Sequence, residues 1–175
     1  KFTLWEEATR VSFIIYDTRA KEKSKNVTTS VSLINIYKTL AEMANIKAPD
    51  YVDGESLVPL LNNPKATFEY PTLTSWGEGN YSVRTEEFRY SRYFDGTEEL
   101  YNHKLDPNEW ENLASQSKFD IKKIALAKYL PKEEVPMVRE FISTWSIHGR
   151  PKQEYKAANK KKSKEEKSKK NKKEK

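Results

Sequence analysis

The sequence predicts the end of an α/β sheet, then a small α+β module, then a disordered basic tail. A continuous apolar run followed by an amphipathic segment is typical of a strand, loop and helix of an α/β unit. Four short aromatic-rich runs separated by turn residues predict an antiparallel sheet of about four strands. A lysine-rich stretch of low complexity ends the chain. We expect these three parts to span residues 1–62, 63–150 and 151–175.

The first part contains the predicted strand and helix. "VSFIIYD" (Val11 to Asp17) is rich in β-branched and aromatic residues, as expected of a strand buried on both faces. "TTSVSLINIYKTLAEMANI" predicts a helix with Ser30 or Ser32 as its N-cap. Its predicted apolar stripe comprises Leu33, Ile34, Tyr37, Leu40 and Ala44. The next stretch, "APDYVDGESLVPLLNNP", reads as a connector with prolines and an Asp-Gly turn.

The second part contains the predicted meander. Its strands are "TLTSW", "YSVRTE", "FRYSRYF" and "EELYN", separated by turn signals at residues 77–80 and 95–96. Alternation places Tyr81 and Val83 on one face of the sheet and Ser82 and Arg84 on the other. One helix is predicted around Phe119–Leu130. A second is predicted to begin near Pro136, with apolar spacing at Val138, Phe141, Ile142 and Trp145.

The net charge of +6 is a property of the tail. Residues 151–175 contain 12 lysines and 4 glutamates, whereas residues 1–150 contain 20 basic and 22 acidic residues. A slightly acidic body argues against a folded nucleic-acid binder. We interpret the tail as a solubilising segment, and no apolar run approaches the roughly 20 residues of a membrane span.

The residue pattern alone shows no complete active site. Cysteine is absent, so thiol nucleophiles and thiolate metal sites are excluded. No glycine-rich phosphate loop, HExxH motif or nucleophile elbow is present. The two histidines, His103 and His148, are far apart in sequence, and we interpret His103 as a hydrogen-bonded turn residue.

Four motifs in series resemble the sulfatases of the alkaline-phosphatase-like superfamily. They are "KFTLWEEATRVSFIIYD", "VSLINIYKTLAEMANIKAPDYVDGESLVPLL", "SVRTEEFRYSRYF" and "ELYNHKLDPNEWENLA". The resemblance covers about residues 1–130 and is strongest to bacterial sulfatases of the choline-sulfatase and iduronate-2-sulfatase type. It implies the C-terminal part of a longer enzyme, in which the α/β part completes an alkaline-phosphatase-like sheet. Ser12 departs from the usual proline of the first motif.

The resemblance also implies two groups that this chain is not expected to supply. Such enzymes use a formylglycine nucleophile, made from the cysteine or serine of a [CS]-x-P-[SA]-R motif, and a calcium ion held by Asp and Asn side chains. The chain has no cysteine and no Ser-x-Pro sequence. We therefore expect the missing N-terminal part of the same enzyme to be its partner, and the segment to be inactive alone. The resemblance also implies a periplasmic or extracellular location.

Lys1 is the catalytic candidate, because the lysine of the "K-x-T-x-W" stretch contacts the substrate's sulfate in the family. An ammonium group suits a sulfate oxygen that gains charge as the S–O bond breaks. The alternative is an ordinary surface lysine. Glu6, Glu7 and Arg10 are either pocket residues or a local cluster, with Glu6 and Arg10 at helical i,i+4 spacing.

The loop and hairpin "TSWGEGNYSVRTEEFRY" contain the candidate substrate-binding residues Trp76, Asn80, Tyr81 and Arg84. Trp76 is suited to stacking on a sugar, Asn80 to a hydroxyl group, and Arg84 to a uronate or second sulfate. Alternatively, Trp76 and Tyr81 belong to the core and Arg84 closes an internal ion pair. Family members often have histidine where this chain has Tyr81, so a role needing an imidazolium is not expected here.

"LDPNEWENLA" (Leu105 to Ala114) is interpreted as architecture, with a turn at Asp106-Pro107 and with Glu109 and Asn112 binding neighbouring backbone. The expected activity of the complete enzyme is hydrolysis of a sulfate ester on a small molecule or glycan. Two alternatives remain open. One is a related phosphomonoester or phosphonate hydrolase. The other is a non-catalytic protein whose basic tail binds anionic partners.

Overall fold

The computed structural model describes residues 3–19 and 24–132, and these form four α-helices, one 3₁₀ helix and four strands. In chain order they are α1 (Glu6–Thr9), α2 (Asn35–Met43), α3 (Val58–Asn62), β1 (Thr72–Ser75), β2 (Tyr81–Arg84), β3 (Phe88–Arg92), β4 (Glu98–Asn102), the 3₁₀ helix (Ser117–Phe119) and α4 (Asp120–Ala127). The second predicted helix, from Pro136, and the predicted tail at 151–175 lie outside the described residues. The domain boundaries proposed from the sequence remain predictions.

The predicted meander is confirmed. All three pairings are antiparallel and the strand order is β1-β2-β3-β4. The tip between β1 and β2 contains Gly77 and Gly79, both with positive φ, and the tip between β3 and β4 contains Gly96 at φ 84°. Glycine adopts this left-handed backbone conformation without steric penalty, so the turn signals in the sequence mark the true hairpin ends.

One face of the sheet carries the apolar core. Alternate residues of β2, β3 and β4 point to this face and pack against α4 and the segment that follows it. Phe119 packs edge-to-face on Phe88, with the ring centroids 6.2 Å apart. The predicted helix around Phe119–Leu130 is thereby confirmed, because it supplies the second layer of this core. The buried members are Tyr81, Val83, Phe88, Tyr90, Leu100, Ala114, Leu126 and Leu130.

The opposite face of the sheet is polar, and the N-terminal segment covers it. Register places Ser82 opposite Ser91 and Arg84 opposite Arg89 on this face. Leu4 is buried, and the indole Nε1 of Trp5 donates to Glu99 Oε2 at 2.9 Å. Residues at the start of the chain therefore fold against strands more than 75 positions away.

The prediction of a strand at Val11–Asp17 is wrong for the structure of this chain. These residues form no ladder, and Ile14 and Tyr16 are each 88% exposed. A β-strand exists only through hydrogen bonds to a neighbouring strand, and no strand of the described residues pairs with this segment. Of the apolar side chains that suggested a buried strand, Val11, Ile14 and Tyr16 are exposed, and Phe13 and Ile15 are only partly buried.

The predicted helix is present as α2, but its buried face is not the predicted apolar stripe. All five stripe residues are exposed, whereas Asn35 and Thr39 are buried. Asn35 Nδ2 donates to the Glu55 carbonyl at 2.8 Å, and Thr39 Oγ1 accepts from the Leu57 amide at 2.9 Å. The polar face of α2 is therefore the buried one, because its side chains bind backbone groups of the connector that follows the helix. The N-cap residue is Ile34 rather than the predicted serine and its side chain makes no capping bond, although Ser32 Oγ accepts from the Ile34 amide at 3.5 Å just before the helix.

The closing turn predicted at Leu105–Ala114 is confirmed as architecture. Asn112 Oδ1 accepts from the amides of Leu100 at 3.0 Å and Ala114 at 2.9 Å, which joins the turn to β4. Asp106 accepts from the Glu111 amide at 2.8 Å. The connector before β1 contains one element that the sequence analysis missed, the short helix α3, with Pro59 in its first turn.

The core assignment makes a prediction that two leucines near β4 can test. Leu100 is fully buried and Leu105 is 85% exposed. We expect Leu100→Ala to lower the free energy of unfolding by about 2–5 kcal/mol, because it leaves a cavity between sheet and α4. The matched control Leu105→Ala should change it by less than about 0.5 kcal/mol. Unfolding in urea measures both values, and an equal loss of unfolding free energy in the two variants would contradict the core assignment.

Candidate functional site

The guanidinium of Arg89 is the centre of the polar face. Its side chain is 1% exposed, so its charge lies away from water. Nη1 donates to the Leu4 carbonyl at 2.9 Å and to Ser82 Oγ at 3.1 Å, and Nε donates to Glu109 Oε1 at 2.6 Å. Nη2 donates to Glu6 Oε2 and to Thr9 Oγ1. We call these residues, together with His103, the Arg89 network.

Glu109 joins Arg89 to the rest of the network. Its side chain is 4% exposed, and Oε1 lies 2.8 Å from His103 Nε2. Its other oxygen, Oε2, accepts from the backbone amide of Glu6 at 2.8 Å. A buried carboxylate is costly unless such partners compensate it, and here three donors do so. The prediction that His103 is a satisfied turn residue is confirmed.

Glu6 is shared between two arginines. Besides Arg89, it accepts from Arg84 Nε at 3.2 Å, and Arg84 Nη1 also donates to the Thr85 carbonyl. Burial lowers the pKa of Arg84, and the charge of Glu6 partly offsets that effect. The structure therefore pairs Glu6 across 78 positions with β2, rather than with Arg10 of its own segment as its spacing suggested.

The pKa values of both carboxyl groups lie below the ordinary value of 4.5. Burial alone raises the pKa of Glu6, but the hydrogen bond from Arg89 and the charges of Arg84 and Arg89 outweigh it. For Glu109, burial is outweighed by the hydrogen bonds from His103 and from the Glu6 amide and by the charge of Arg89. The network thus favours the ionised form of each acid.

The predicted substrate-binding residues lie on the β1–β2 hairpin, but in different surroundings. Asn80 is 4% exposed, and its side chain closes the loop by donating to the carbonyls of Trp76 and Glu78. Tyr81 is 5% exposed and belongs to the apolar core. Trp76 is partly buried. Their proposed contacts with substrate remain predictions, as does that of Arg84, which closes an internal ion pair.

Two further comparisons with the sequence analysis concern Lys1 and Arg89. Lys1, the predicted catalytic residue, lies outside the described residues. Arg89 was not singled out from the sequence, although a usable signal existed. In "FRYSR" the period-2 pattern places Arg89 opposite the face of Phe88 and Tyr90, on the same side as the candidate Arg84.

The network includes one group of potential metal ligands among the described residues. Single ligand atoms of Glu6, His103 and Glu109 all lie within 4.8 Å of one another. The carboxylates, however, already accept from Arg84, Arg89, His103 and a backbone amide, and the buried guanidinium places a positive charge between them. This donor set does not fit calcium, which needs six to eight free oxygen ligands.

The chain resembles known proteins over most of its length. The family model described as "N-sulphoglucosamine sulphohydrolase, C-terminal" matches residues 1–135. A sulfatase of Formosa agariphila is 35% identical over 132 residues, covering 75% of this chain and 26% of that protein. The delta 4,5-hexuronate-2-O-sulfatase of Bacteroides thetaiotaomicron is 30% identical over 128 residues, covering 67% of this chain and 27% of that protein. Among solved structures, the phosphonate monoester hydrolase of Agrobacterium radiobacter gives a TM-score of 0.46 at 18% identity, covering 54% of this chain and 23% of that chain.

The family match defines the class of the segment, which is that of a sulfatase-family C-terminal domain. The chain belongs to the sulfatase family, and the resemblance inferred from its motifs is confirmed. Of the predicted fold class, the described residues show the antiparallel sheet of four strands with few helices. The chain spans about a quarter of the length of the curated relatives described above. Within residues 3–19 and 24–132, no helix is both long and apolar enough to cross a bilayer.

The lowered pKa values of Glu6 and Glu109 predict an acid-sensitive fold. Both acids ionise more readily folded than unfolded, so their contribution is complete above about pH 4.5 and is lost as pH falls through the folded pKa values. The free energy of unfolding should therefore decrease below about pH 4.5. Glu109→Gln should cost about 3–5 kcal/mol at pH 7 and make the acid dependence shallower.

Urea unfolding between pH 7 and pH 3 measures this effect. The matched control is Glu111→Gln, an exposed carboxylate in the same turn, which should leave the pH dependence as in the wild type. If Glu109→Gln retained the full acid dependence, the network would not be its source.

Proposed function

We propose that this chain is the C-terminal part of a sulfatase that hydrolyses sulfate esters, and that it supplies one wall of the substrate pocket. The family match over residues 1–135 is the observation that carries this proposal. Several relatives are named as sulfatases, and one of them as a hexuronate-2-O-sulfatase. A sulfated glycan is accordingly the proposed substrate class, and a sulfated small molecule is the alternative substrate.

The catalytic contribution proposed for this chain is that of Lys1. Its ammonium group would bind a sulfate oxygen and stabilise the negative charge that grows there as the S–O bond breaks. A point charge with three donors suits this task, because the charge on sulfate is spread over several oxygens. The polar network that begins at Leu4 supports this role, since it holds the neighbouring backbone on the sheet.

The β1–β2 hairpin is the proposed pocket wall. Trp76 would stack on a sugar ring, and Arg84 would bind a second anionic group of the substrate when its pairing with Glu6 permits. Asn80 would act mainly by shaping the loop that presents Trp76, because its amide already binds two loop carbonyls. Tyr81 would contribute through the packing that fixes the base of this loop.

Calcium and formylglycine belong to the proposed complete enzyme rather than to this segment. The chain contains no cysteine and no Ser-x-Pro sequence from which the aldehyde could form. The acidic cluster described above does not fit calcium. We propose that the missing N-terminal part of the same enzyme supplies both groups, and that the apolar stripe of α2 packs against that part. A periplasmic or extracellular location is part of the same proposal.

Lys1 makes the proposal testable in the complete enzyme. We expect Lys1→Ala to lower kcat/KM for an aryl sulfate by about 10²–10³-fold, because one donor to the developing charge is lost. The matched control Lys118→Ala removes an exposed lysine that lies over the Phe119 ring, and it should leave the kinetics unchanged. Equal rates for both variants would contradict the role of Lys1.

Substrate comparison separates the proposal from its alternatives. The wild-type enzyme should cleave an aryl sulfate faster than the matching phosphate or phosphonate ester, and the reverse order would favour a phospho- or phosphonate hydrolase. The isolated 175-residue chain should cleave none of them. Binding of heparin by the isolated chain that falls steeply with salt, and is lost on truncation at Arg150, would favour the tail-driven binding protein.

A further inference from the structure

We propose that Arg89 is a positioning residue, whose buried guanidinium fixes the segment that carries Lys1 onto the polar face of the sheet. The inference rests on the proposed function in one respect, which is the catalytic role of Lys1. It assigns a role to an ion-pair network on the face of the sheet opposite the apolar cluster that contains Val83, Tyr90 and Leu100.

The contacts of Arg89 are concentrated on a short stretch of the N-terminal segment. One guanidinium binds the Leu4 carbonyl, the Glu6 carboxylate and the Thr9 hydroxyl, which span six consecutive residues. Glu109 holds the same stretch from the other side through the Glu6 amide at 2.8 Å. The segment is thereby held at backbone and side-chain positions, and its direction as well as its location is fixed.

An arginine is required for this task. Its planar fork presents five N–H donors, and here they reach acceptors on the N-terminal segment, on β2 and in the closing turn. Lysine offers a single nitrogen and could not bind these acceptors at once.

The point of anchorage nearest to Lys1 in the sequence is Leu4. Leu4 is three residues from Lys1, and three residues span at most about 10–11 Å when fully extended. Leu4 is itself buried, so the backbone is fixed at that point. A catalytic charge must be placed accurately, because a displacement of about 1 Å can cost about 10²-fold in rate.

The network can be tested separately from folding because the other face of the sheet holds the main core. Leu126 and Leu130 belong to the apolar cluster on that opposite face. A variant in the apolar core should therefore lower stability without releasing the segment. A variant in the network should release the segment even under conditions where the sheet stays folded.

The experiment compares variants of the complete enzyme at a temperature where each is fully folded by circular dichroism. Glu109→Gln removes the charge that pairs with Arg89, and the isosteric Thr9→Val is the milder second variant. Leu126→Ala is the stability control on the opposite face. The readouts are kcat and KM for an aryl sulfate, together with hydrogen exchange of the Glu6 amide and of the β3 amides.

We expect Glu109→Gln to lower kcat by about 10²-fold with KM within about twofold, and Thr9→Val to lower it by a smaller factor. The Glu6 amide should exchange faster in both variants while β3 stays protected. Leu126→Ala should leave kcat and Glu6 exchange unchanged. Unchanged kcat in Glu109→Gln, or an equal loss in Leu126→Ala, would overturn the inference while leaving the proposed function intact.

A wild-type enzyme that cleaves no sulfate ester would overturn the proposed function, and the inference with it. The two failures are distinguishable. Failure of the proposed function is detected with the wild-type enzyme, whereas failure of the inference is detected only when the variants are compared.

Discussion

The hydrogen bonds of one buried guanidinium hold the N-terminal segment and the sheet together. Arg89 stands in the middle of β3, on a face where a charged side chain would be unstable without compensation. Its acceptors are a backbone carbonyl, two hydroxyls and two carboxylates, which lie on three separate stretches of the chain: the N-terminal segment, β2 and the closing turn. Removing either carboxylate leaves a buried charge short of a partner, so the segment, the sheet and the closing turn depend on one another.

The two faces of the sheet have different physical roles. The apolar face, covered by α4, provides most of the buried hydrophobic surface and so the stability of the fold. The polar face contributes geometric precision, because hydrogen bonds between charged groups have narrow distance and angle requirements. The substrate pocket that we propose for the complete enzyme would need both, since the proposed sulfate-binding lysine would have to be placed by directional contacts on a rigid sheet.

Local sequence signals predicted the elements whose contacts are local. The meander with its glycine turns and the Asp106-Pro107 turn are held by hydrogen bonds between nearby positions of the chain, and α4 has a helical apolar spacing of its own; all were predicted. The strand at Val11–Asp17 and the buried face of α2 depend on what packs against them, and apolar pattern alone cannot reveal that. Pairing of Glu6 with β2 spans 78 positions. The sequence favoured a pair between Glu6 and Arg10, its i,i+4 neighbour. Only the fold shows that Glu6 pairs with Arg84 and Arg89 instead.

The most direct test of the network is a double-mutant cycle between Glu6→Gln and Glu109→Gln, measured as free energies of unfolding at pH 7. The two carboxylates share Arg89, and the Glu6 amide donates to Glu109. We therefore predict a coupling energy of at least about 1 kcal/mol. Additivity of the two single changes to within about 0.3–0.5 kcal/mol would contradict the account, because it would mean that the acids act independently and that Arg89 does not unite them.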